Sequence, residues 1–301
     1  MTATTTAARK LSTLIESFER RRPMRTGSLI VTIYGDAIVP RGGALWLGSL
    51  LDMMAGFGVE PGLVRTAVSR LVADGWFARA RIGKQSHYRL SQWGAAEFAA
   101  ATTRIYRGFE PPWSGEIEVA VIATADAGER AAHRDRMLHA GYGQAAANVM
   151  VRPHTDAVDG GATASDDIIV LVTRPQNIAK LRALANACWQ LDHLEMAYRQ
   201  FLQAFGPLAG EIGTGVHLTD AQAFQLRILL IHDWRRIVLR DPLLPHAMLP
   251  ADWPGIRAVD LVSSAYRQIL AGSERWLDHH AVNEDGPLPR PEGLKQRFSP
   301  S

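Results

Sequence analysis

The stretch "VRTAVSRLVADGWFARARIGKQSHYRL", residues 64–90, decides the fold of this chain. Its first half repeats apolar residues at the spacing of an amphipathic helix, and its second half carries basic residues on both sides of a glycine. The pattern predicts a helix, then two strands that pair as a ribbon around a turn at residues 83–84. So much positive charge on one helix and ribbon indicates a polyanionic partner.

The predicted helix has two faces. At 100° per residue, its apolar side chains lie within about 80° of Val64 and can pack on other helices. The opposite arc, from about 100° to 240°, carries the candidate DNA contacts, which are Arg65, Thr66, Ser69 and Arg70. Arginine contacts guanine through two hydrogen bonds, and hydroxyl groups contact bases or phosphates. An ordinary surface helix with outward arginines is the alternative.

The predicted ribbon supplies the second part of the candidate DNA surface. Trp76 and Phe77 anchor it, and Gly83 forms its turn. Its candidate DNA-contacting residues are Arg79, Arg81, Lys84, Ser86, Tyr88 and Arg89. A basic turn tip suits contact with phosphates or the minor groove, whereas a charged edge hairpin that prevents aggregation is the alternative. The helix and ribbon directly in series favour DNA binding.

The segments around this stretch predict the first domain. Two further helix-like segments, residues 26–37 and 44–57, come before it. Three helices followed by a hairpin are the chain order of a winged helix-turn-helix, expected at residues 25–109. An N-terminal arm, residues 1–24, ends in three arginines and a proline-containing break.

The rest of the chain predicts two more domains. After a proline-containing linker, a strand–helix–strand–strand order over residues 113–175 predicts a small ferredoxin-like layer. Residues 176–282 have a helical pattern and predict an all-α domain, and residues 283–301 have the composition of a disordered tail. The expected fold class is therefore α+β and multidomain.

Charge and cysteine content limit the function classes. Residues 1–110 hold 15 Lys/Arg and 8 Asp/Glu, a net charge of +7, whereas residues 111–301 hold 18 and 22, a net charge of −4. A basic front on a slightly acidic body again indicates a polyanion. The single cysteine, Cys188, excludes an intrachain disulfide and favours a reducing cytoplasm. Without an apolar run of 18 residues, no transmembrane helix and no membrane partner are expected.

Five motifs resemble the PaaX family of transcriptional repressors of bacterial phenylacetate catabolism. They are "YGD" at 34–36, "RGGALWLGSLL" at 41–51, "VRTAVSRLVADGW" at 64–76, "RIGKQSHYRLS" at 81–91 and "DPLLPHAMLPADWPG" at 241–255. The resemblance covers about residues 25–280. It implies a winged-helix domain, a middle domain similar to the Cas2 fold and a helical C-terminal domain. It also implies release from operator DNA by phenylacetyl-coenzyme A or a related acyl-coenzyme A.

One residue departs from the family pattern. The wing of the family often carries a glycine followed by arginine, and here Lys84 follows Gly83. Lysine keeps the positive charge but lacks the guanidinium fork. Contact with phosphates is therefore expected to remain, and arginine-specific groove contact at the wing tip is in doubt.

The helical domain holds the candidate effector residues. These are Trp189, Trp234, Arg235, Arg236 and Arg240. Arginine pairs with the phosphates of coenzyme A, and tryptophan stacks on adenine or on a phenyl ring. Tryptophans packed in the core and arginines exposed to solvent are the alternative.

We find no motif of a hydrolase, a P-loop or a dinucleotide site, so neither catalysis nor a resident cofactor or metal is expected. Asp126 supports one enzymatic alternative, because Cas2 nucleases hold a divalent metal with an aspartate near this strand end. The favoured interpretation is that Asp126 caps the following helix. An adaptor that binds nucleic acid without responding to an effector is a third hypothesis.

The length of the recognition helix predicts the assembly. A single short helix contacts only a few base pairs, which is too little to select one site in a genome. We therefore expect a homodimer on an inverted repeat of double-stranded operator DNA.

Overall fold

The computed structural model describes residues 3–21, 26–107, 113–155 and 163–298. The chain divides into two compact units. Unit 1 comprises Met1–Gly108, Arg199–Leu239 and Ile256–Ser301, and unit 2 comprises Phe109–Tyr198 and Arg240–Gly255. Within the described ranges, none of the helices combines the length and apolarity that crossing a bilayer requires.

The described helices are, in chain order, α1 (Ala3–Glu19), α2 (Thr26–Ile33), α3 (Leu47–Ala55), α4 (Pro61–Ala73), α5 (Gln92–Arg107), α6 (Ala127–His139), α7 (Ile178–Trp189), α8 (Leu191–Gly213), α9 (Asp220–Val238) and α10 (Pro254–His280). The strands are β1 (Ala44–Trp46), β2 (Phe77–Ile82), β3 (Gln85–Leu90), β4 (Ile117–Ile122), β5 (Gly143–Ala146), β6 (Val149–Pro153), β7 (Ile168–Thr173), β8 (Val282–Asn283) and β9 (Gly286–Pro287). This mixture of helices and small sheets confirms the predicted α+β class in its coarse form.

Unit 1 contains the stretch that opened the sequence analysis. Helices α2, α3 and α4 precede an antiparallel sheet of order β1-β3-β2. Helix α2 continues into a π-helical turn, Tyr34–Ile38, and a 3-10 turn, Val39–Arg41. Gly42 and Gly43 then take φ angles of 88° and 78°, which favour glycine, and lead the chain into β1. Sequence patterns alone did not predict β1, because three residues are too short to show alternation.

Helix α9 lies at the centre of unit 1. It packs against α1, α2 and α5, and it is buried on almost every side. Its capping box, formed by Thr219 and Gln222, fixes where it begins. A helix buried on this much of its circumference belongs to the core and offers little surface to a ligand. The sequence pattern had placed α9 in a separate helical domain, whereas here it joins the N-terminal residues.

The segment expected to be a disordered tail is folded as far as it is described. Residues 282–287 form the β8–β9 hairpin, and Val282 donates its backbone N–H to Ser49 Oγ at 3.1 Å. Leu288, Leu294 and Phe298 are buried. The expectation of disorder was wrong for residues 283–298 because these spaced apolar side chains bury themselves in unit 1 despite the surrounding prolines.

A buried network of charges joins the distant parts of unit 1. Asp36 accepts hydrogen bonds from Arg227 Nε at 2.5 Å and Arg297 Nη1 at 2.8 Å, and also from two tyrosine hydroxyls. Glu274 accepts from Arg41 Nε at 2.9 Å and also pairs with Arg227. Arg41 completes the network through Asp278, at 2.8 Å. Three arginines therefore face three carboxylates.

Unit 2 is a four-stranded antiparallel sheet with helices. The strand order is β5-β6-β4-β7. The core residues of this sheet and its helix are Ala120, Ile122, Met137, Tyr142, Met150 and Ile168. The segment "AAANVMVRP", expected as one strand, contributes to a tight hairpin of β5 and β6 instead.

Candidate nucleic-acid interface

Helix α4 carries the candidate recognition face. It follows Glu60, an extended N-cap residue, and begins at Pro61, whose fixed φ suits the first helical position. Val64, Val68 and Leu71 are buried. The four predicted contact residues are all exposed: Arg65, Thr66, Ser69 and Arg70. The amphipathic pattern thus predicted which side of this helix faces solvent.

The register of the ribbon assigns its side chains to two faces. Arg79 lies opposite Tyr88, and Arg81 lies opposite Ser86. Directly paired residues point to the same face of a sheet, so these four share the face that packs on the helices near the ribbon's root. Farther out, this face is basic, and Arg79 Nη2 donates to Ser86 Oγ at 2.8 Å.

The tip of the ribbon is exposed. Gly83 has a φ of 59°, which allows the two-residue turn, and Lys84 follows it in solvent. Arg81 Nε donates to the backbone carbonyl of Gly83 at 3.3 Å. This contact ties the Arg81 guanidinium to the backbone of the turn.

Two residues of the ribbon that were predicted to contact DNA do not lie on its DNA-facing surface. Tyr88 is 8% exposed and its backbone carbonyl accepts from the Tyr34 hydroxyl, so its side chain belongs to the core and not to the DNA surface. Arg89 lies opposite Ala78, on the other face of the ribbon, and forms an ion pair with Glu284. The Arg89 correction follows from register, since neighbouring residues of a strand point to opposite faces. Tyr88 shares the face of Arg79, and it is burial that removes its side chain from the DNA surface.

The exposed cations on α4 and the outer ribbon lack acidic partners. Within the described residues, no carboxylate forms an ion pair with the five cations of this surface, Arg65, Arg70, Arg79, Arg81 and Lys84. We call these residues the free cation set. Since no described carboxylate neutralises them, their charges can act on an anionic partner.

The candidate effector residues do not form the predicted site. Trp234 is fully buried, packs on Phe201 and donates its indole N–H to the carbonyl of Ile105 at 2.8 Å. Arg235 donates to Thr32 Oγ1 at 2.8 Å and to Ser28 Oγ at 2.6 Å. Burial lowers the pKa of Arg235 to about 10. Both residues are therefore engaged in the core of unit 1.

The other three effector candidates are dispersed. Arg236 lies 4.0 Å from Asp233 on the same helix. Arg240 is exposed in unit 2. Trp189, also in unit 2, is half-buried and lies so close to Gly143 that an added Cβ would come within 2.7 Å of its ring. The sequence missed this arrangement because the packing partners are distant in the chain.

The C-terminal helices of unit 1 border a different cleft. It lies between the segment after α8 and α10, and its polar side chains are His217, Gln268 and Arg275. The remainder of its lining is mainly apolar. Arg275 also pairs with Asp220 at 2.6 Å, in an exposed ion pair.

Asp126 has a structural contact. Its Oδ1 accepts from the backbone N–H of Glu129 at 2.8 Å and caps α6. Among the described residues, no group of three or more His, Cys, Asp or Glu side chains is arranged to hold a metal ion. The capping interpretation of Asp126 is confirmed.

Comparisons with known proteins find several that this chain is similar to. Two family models match, described as "PaaX-like protein" over residues 25–94 and "PaaX-like protein C-terminal domain" over residues 189–279. The chain is 34% identical over 299 residues to the transcriptional repressor PaaX of Escherichia coli K12, covering 96% of this chain and 95% of the relative. It also resembles the solved structure of the uncharacterized protein Rv0674 from Mycobacterium tuberculosis. That match has 25% identity and a TM-score of 0.47, and covers 74% of this chain and 89% of the other.

Proposed function

The chain belongs to the PaaX family, and from this premise we propose that it is a repressor that binds double-stranded operator DNA through α4 and the β2–β3 ribbon. The free cation set is the single observation that carries the proposal. Its members lie on one helix and on the hairpin that follows it. In a winged-helix domain, the recognition helix enters the major groove and the hairpin, or wing, contacts the DNA beside it.

The architecture of unit 1 supports a winged helix-turn-helix. Helices α2, α3 and α4 lead into the hairpin, and the short strand β1 pairs with β3 as a third strand. In unit 2, the order β5-β6-β4-β7 corresponds to 2-3-1-4 in chain order, which supports the ferredoxin-like middle domain implied by the family.

We further propose that the repressor acts as a homodimer on an inverted repeat. Strand β7 supports this assembly because it lies at the edge of its sheet and is apolar on both faces. Ile169 is 53% exposed and Leu171 is 54% exposed. A long exposed apolar edge is a template for pairing with another strand. Sedimentation should give a dimer, Leu171→Lys should shift it towards monomer, and the matched control Leu138→Lys on α6 should not.

The proposed effector is an aryl-coenzyme A thioester such as phenylacetyl-coenzyme A. Trp234 and Arg235 are engaged in the core and are not available to a ligand. We therefore propose that the effector binds in the cleft bordered by His217, Gln268 and Arg275. An effector can release the repressor from DNA only if it binds the DNA-free protein more tightly than the DNA-bound protein. Operator DNA must then weaken effector binding by the same factor by which the effector weakens DNA binding.

The decisive experiment is binding of the full-length protein to the DNA upstream of its own gene. We expect specific binding that decreases with added salt and with phenylacetyl-coenzyme A, and that is unaffected by free phenylacetate. Affinity equal to that for scrambled DNA of the same length would contradict the repressor proposal and favour an adaptor. Cleavage of the probe that requires Mg²⁺ would favour the nuclease alternative.

A further inference from the structure

Helix α4 exposes a large apolar side chain at the edge of its candidate DNA face. Leu63, in the first turn of the helix, is 50% exposed. At 100° per residue it lies at about 260° from Val64, beside Arg70 at about 240° and one turn before Thr66 at about 200°. Leu63 therefore forms a ridge with two of the residues proposed to enter the major groove.

Exposure of a single leucine is common on protein surfaces and is not informative alone. The exposure of Leu63 is informative because of its position, since neighbouring side chains leave the first turn of the helix accessible. The neighbouring Gly62 has no side chain, and a Cβ placed there would meet nothing within 4 Å. Pro61 and Gly62 thus leave the first turn unobstructed, and a DNA base edge can approach Leu63 closely.

The major groove offers one prominent apolar group to such a side chain. Each thymine presents a C5-methyl group there, whereas the other groups on the base edges are mainly hydrogen-bond donors and acceptors. Burying a leucine against polar base edges would leave their hydrogen bonds unmade, while a methyl group completes an apolar contact.

We propose that Leu63 determines sequence specificity by contacting a thymine methyl group in each half-site. The inference rests on the proposed function of α4 as the recognition helix. Arg70 lies seven residues farther along, about 10.5 Å at 1.5 Å per residue. The thymine and the base that Arg70 contacts therefore belong to different base pairs of the half-site.

Replacing single thymines with deoxyuridine tests the proposal, because deoxyuridine keeps the base pair and removes only the methyl group. A footprint of the full-length protein on its upstream DNA first defines the bound region. Each thymine of that region is then replaced in turn. One position per half-site should lose about fourfold in affinity, the equivalent of about 0.8 kcal/mol for one buried methyl or methylene group.

The variant Leu63→Ala tests whether Leu63 is the residue that contacts the thymine methyl group. It should bind the unmodified probe about fourfold or more weakly and should no longer distinguish thymine from deoxyuridine at that position. Ile256→Ala is the matched control, because Ile256 is 49% exposed and lies on α10, outside the proposed DNA surface. This control should retain the full response to the methyl group.

The outcomes separate the inference from the function on which it rests. If no thymine responds, or if Leu63→Ala still responds at the same position, the inference is overturned while DNA binding by α4 stands. If the wild-type protein does not bind its upstream DNA specifically, the proposed function fails and this inference fails with it.

Discussion

Unit 1 contains two groups of arginines that differ in almost every physical respect. Arg41, Arg227 and Arg297 are nearly or fully buried, and each pairs with a carboxylate at close range. The arginines of the free cation set are exposed, and none has an acidic partner within the described residues. The same residue type therefore stabilises the fold in one region and remains available to a partner in the other.

The environment accounts for this difference. A buried guanidinium loses its hydration, which is tolerated only when carboxylates and hydrogen bonds replace water. An exposed guanidinium keeps its hydration and its field extends into solvent, limited by salt. Replacing an arginine or its partner should therefore change stability in the buried network and DNA affinity on the α4 surface.

The largest effect is expected for Asp36→Asn. Asp36 is 1% exposed and accepts from Arg227 and Arg297, so its neutralisation leaves a net positive charge in the buried network. Removing one member of a buried ion pair destabilises a protein by about 3–5 kcal/mol. Urea unfolding measures this loss. Glu16→Gln is the control, because Glu16 forms an exposed ion pair with Arg20 on α1, and it should change stability by less than about 1 kcal/mol.

A smaller effect is expected from the protonation of His232, also in this core. His232 stands edge-on to Phe18, and burial lowers its pKa from 6.5 to about 3. Above pH 6.5 both the folded and unfolded forms are neutral. Between pH 6.5 and 3 the unfolded state binds the proton preferentially, so the free energy of unfolding falls as pH falls. From pH 6.5 to 4.5 this contribution is about 2 kcal/mol.

Unfolding of His232→Gln across this pH range tests the assignment. Carboxylates contribute to acid sensitivity in both proteins, so the difference between wild type and variant isolates the histidine. This difference should change by about 2 kcal/mol between pH 6.5 and 4.5. A difference that stays constant with pH would contradict the buried, neutral state of His232.

The sequence predicted the exposed arginine group but not the buried one. The exposed face of α4 follows from local periodicity, and the turn of the ribbon follows from Gly83, so both were predictable from neighbouring residues. Arg89 was assigned to the wrong face because strand register, which decides the face, depends on packing between β2, β3 and the helices. Tyr88 lies on the predicted face, but packing against distant residues buries its side chain.

The buried group was not predictable in the same way. Trp234 and Arg235 resemble a ligand site in sequence, but α1, α2 and α5 cover α9 from distant parts of the chain. The pairing of Asp36 with Arg227 and Arg297 spans 191 and 261 residues. One signal was available, since the consecutive apolar residues 228–231 put apolar side chains on every side of α9, and this favours a buried helix.

On the exposed side, Arg65→Ala and Arg70→Ala should each weaken specific DNA binding by about 1–3 kcal/mol, because each removes a guanidinium that can contact a base. Stability should change by less than about 0.5 kcal/mol, as is usual for surface substitutions. Fluorescence anisotropy with the upstream DNA measures the affinity. Arg267→Ala, an exposed arginine on α10 with the same charge change, is the control. Unchanged affinity in both α4 variants would remove this helix from the interface.

The smallest effect is expected at the ribbon tip. Lys84 follows the Gly83 turn in solvent, and an ammonium group suits a phosphate oxygen better than a base edge. Lys84→Ala should therefore weaken specific and non-specific DNA binding by the same modest factor. The slope of log affinity against log salt should decrease by about one unit, because one fewer counterion is released. Affinities for upstream and scrambled DNA over a salt series measure both quantities. A loss confined to the upstream sequence would instead assign Lys84 to base contact, and the division between phosphate-contacting and base-contacting cations within the free cation set would then have to be redrawn.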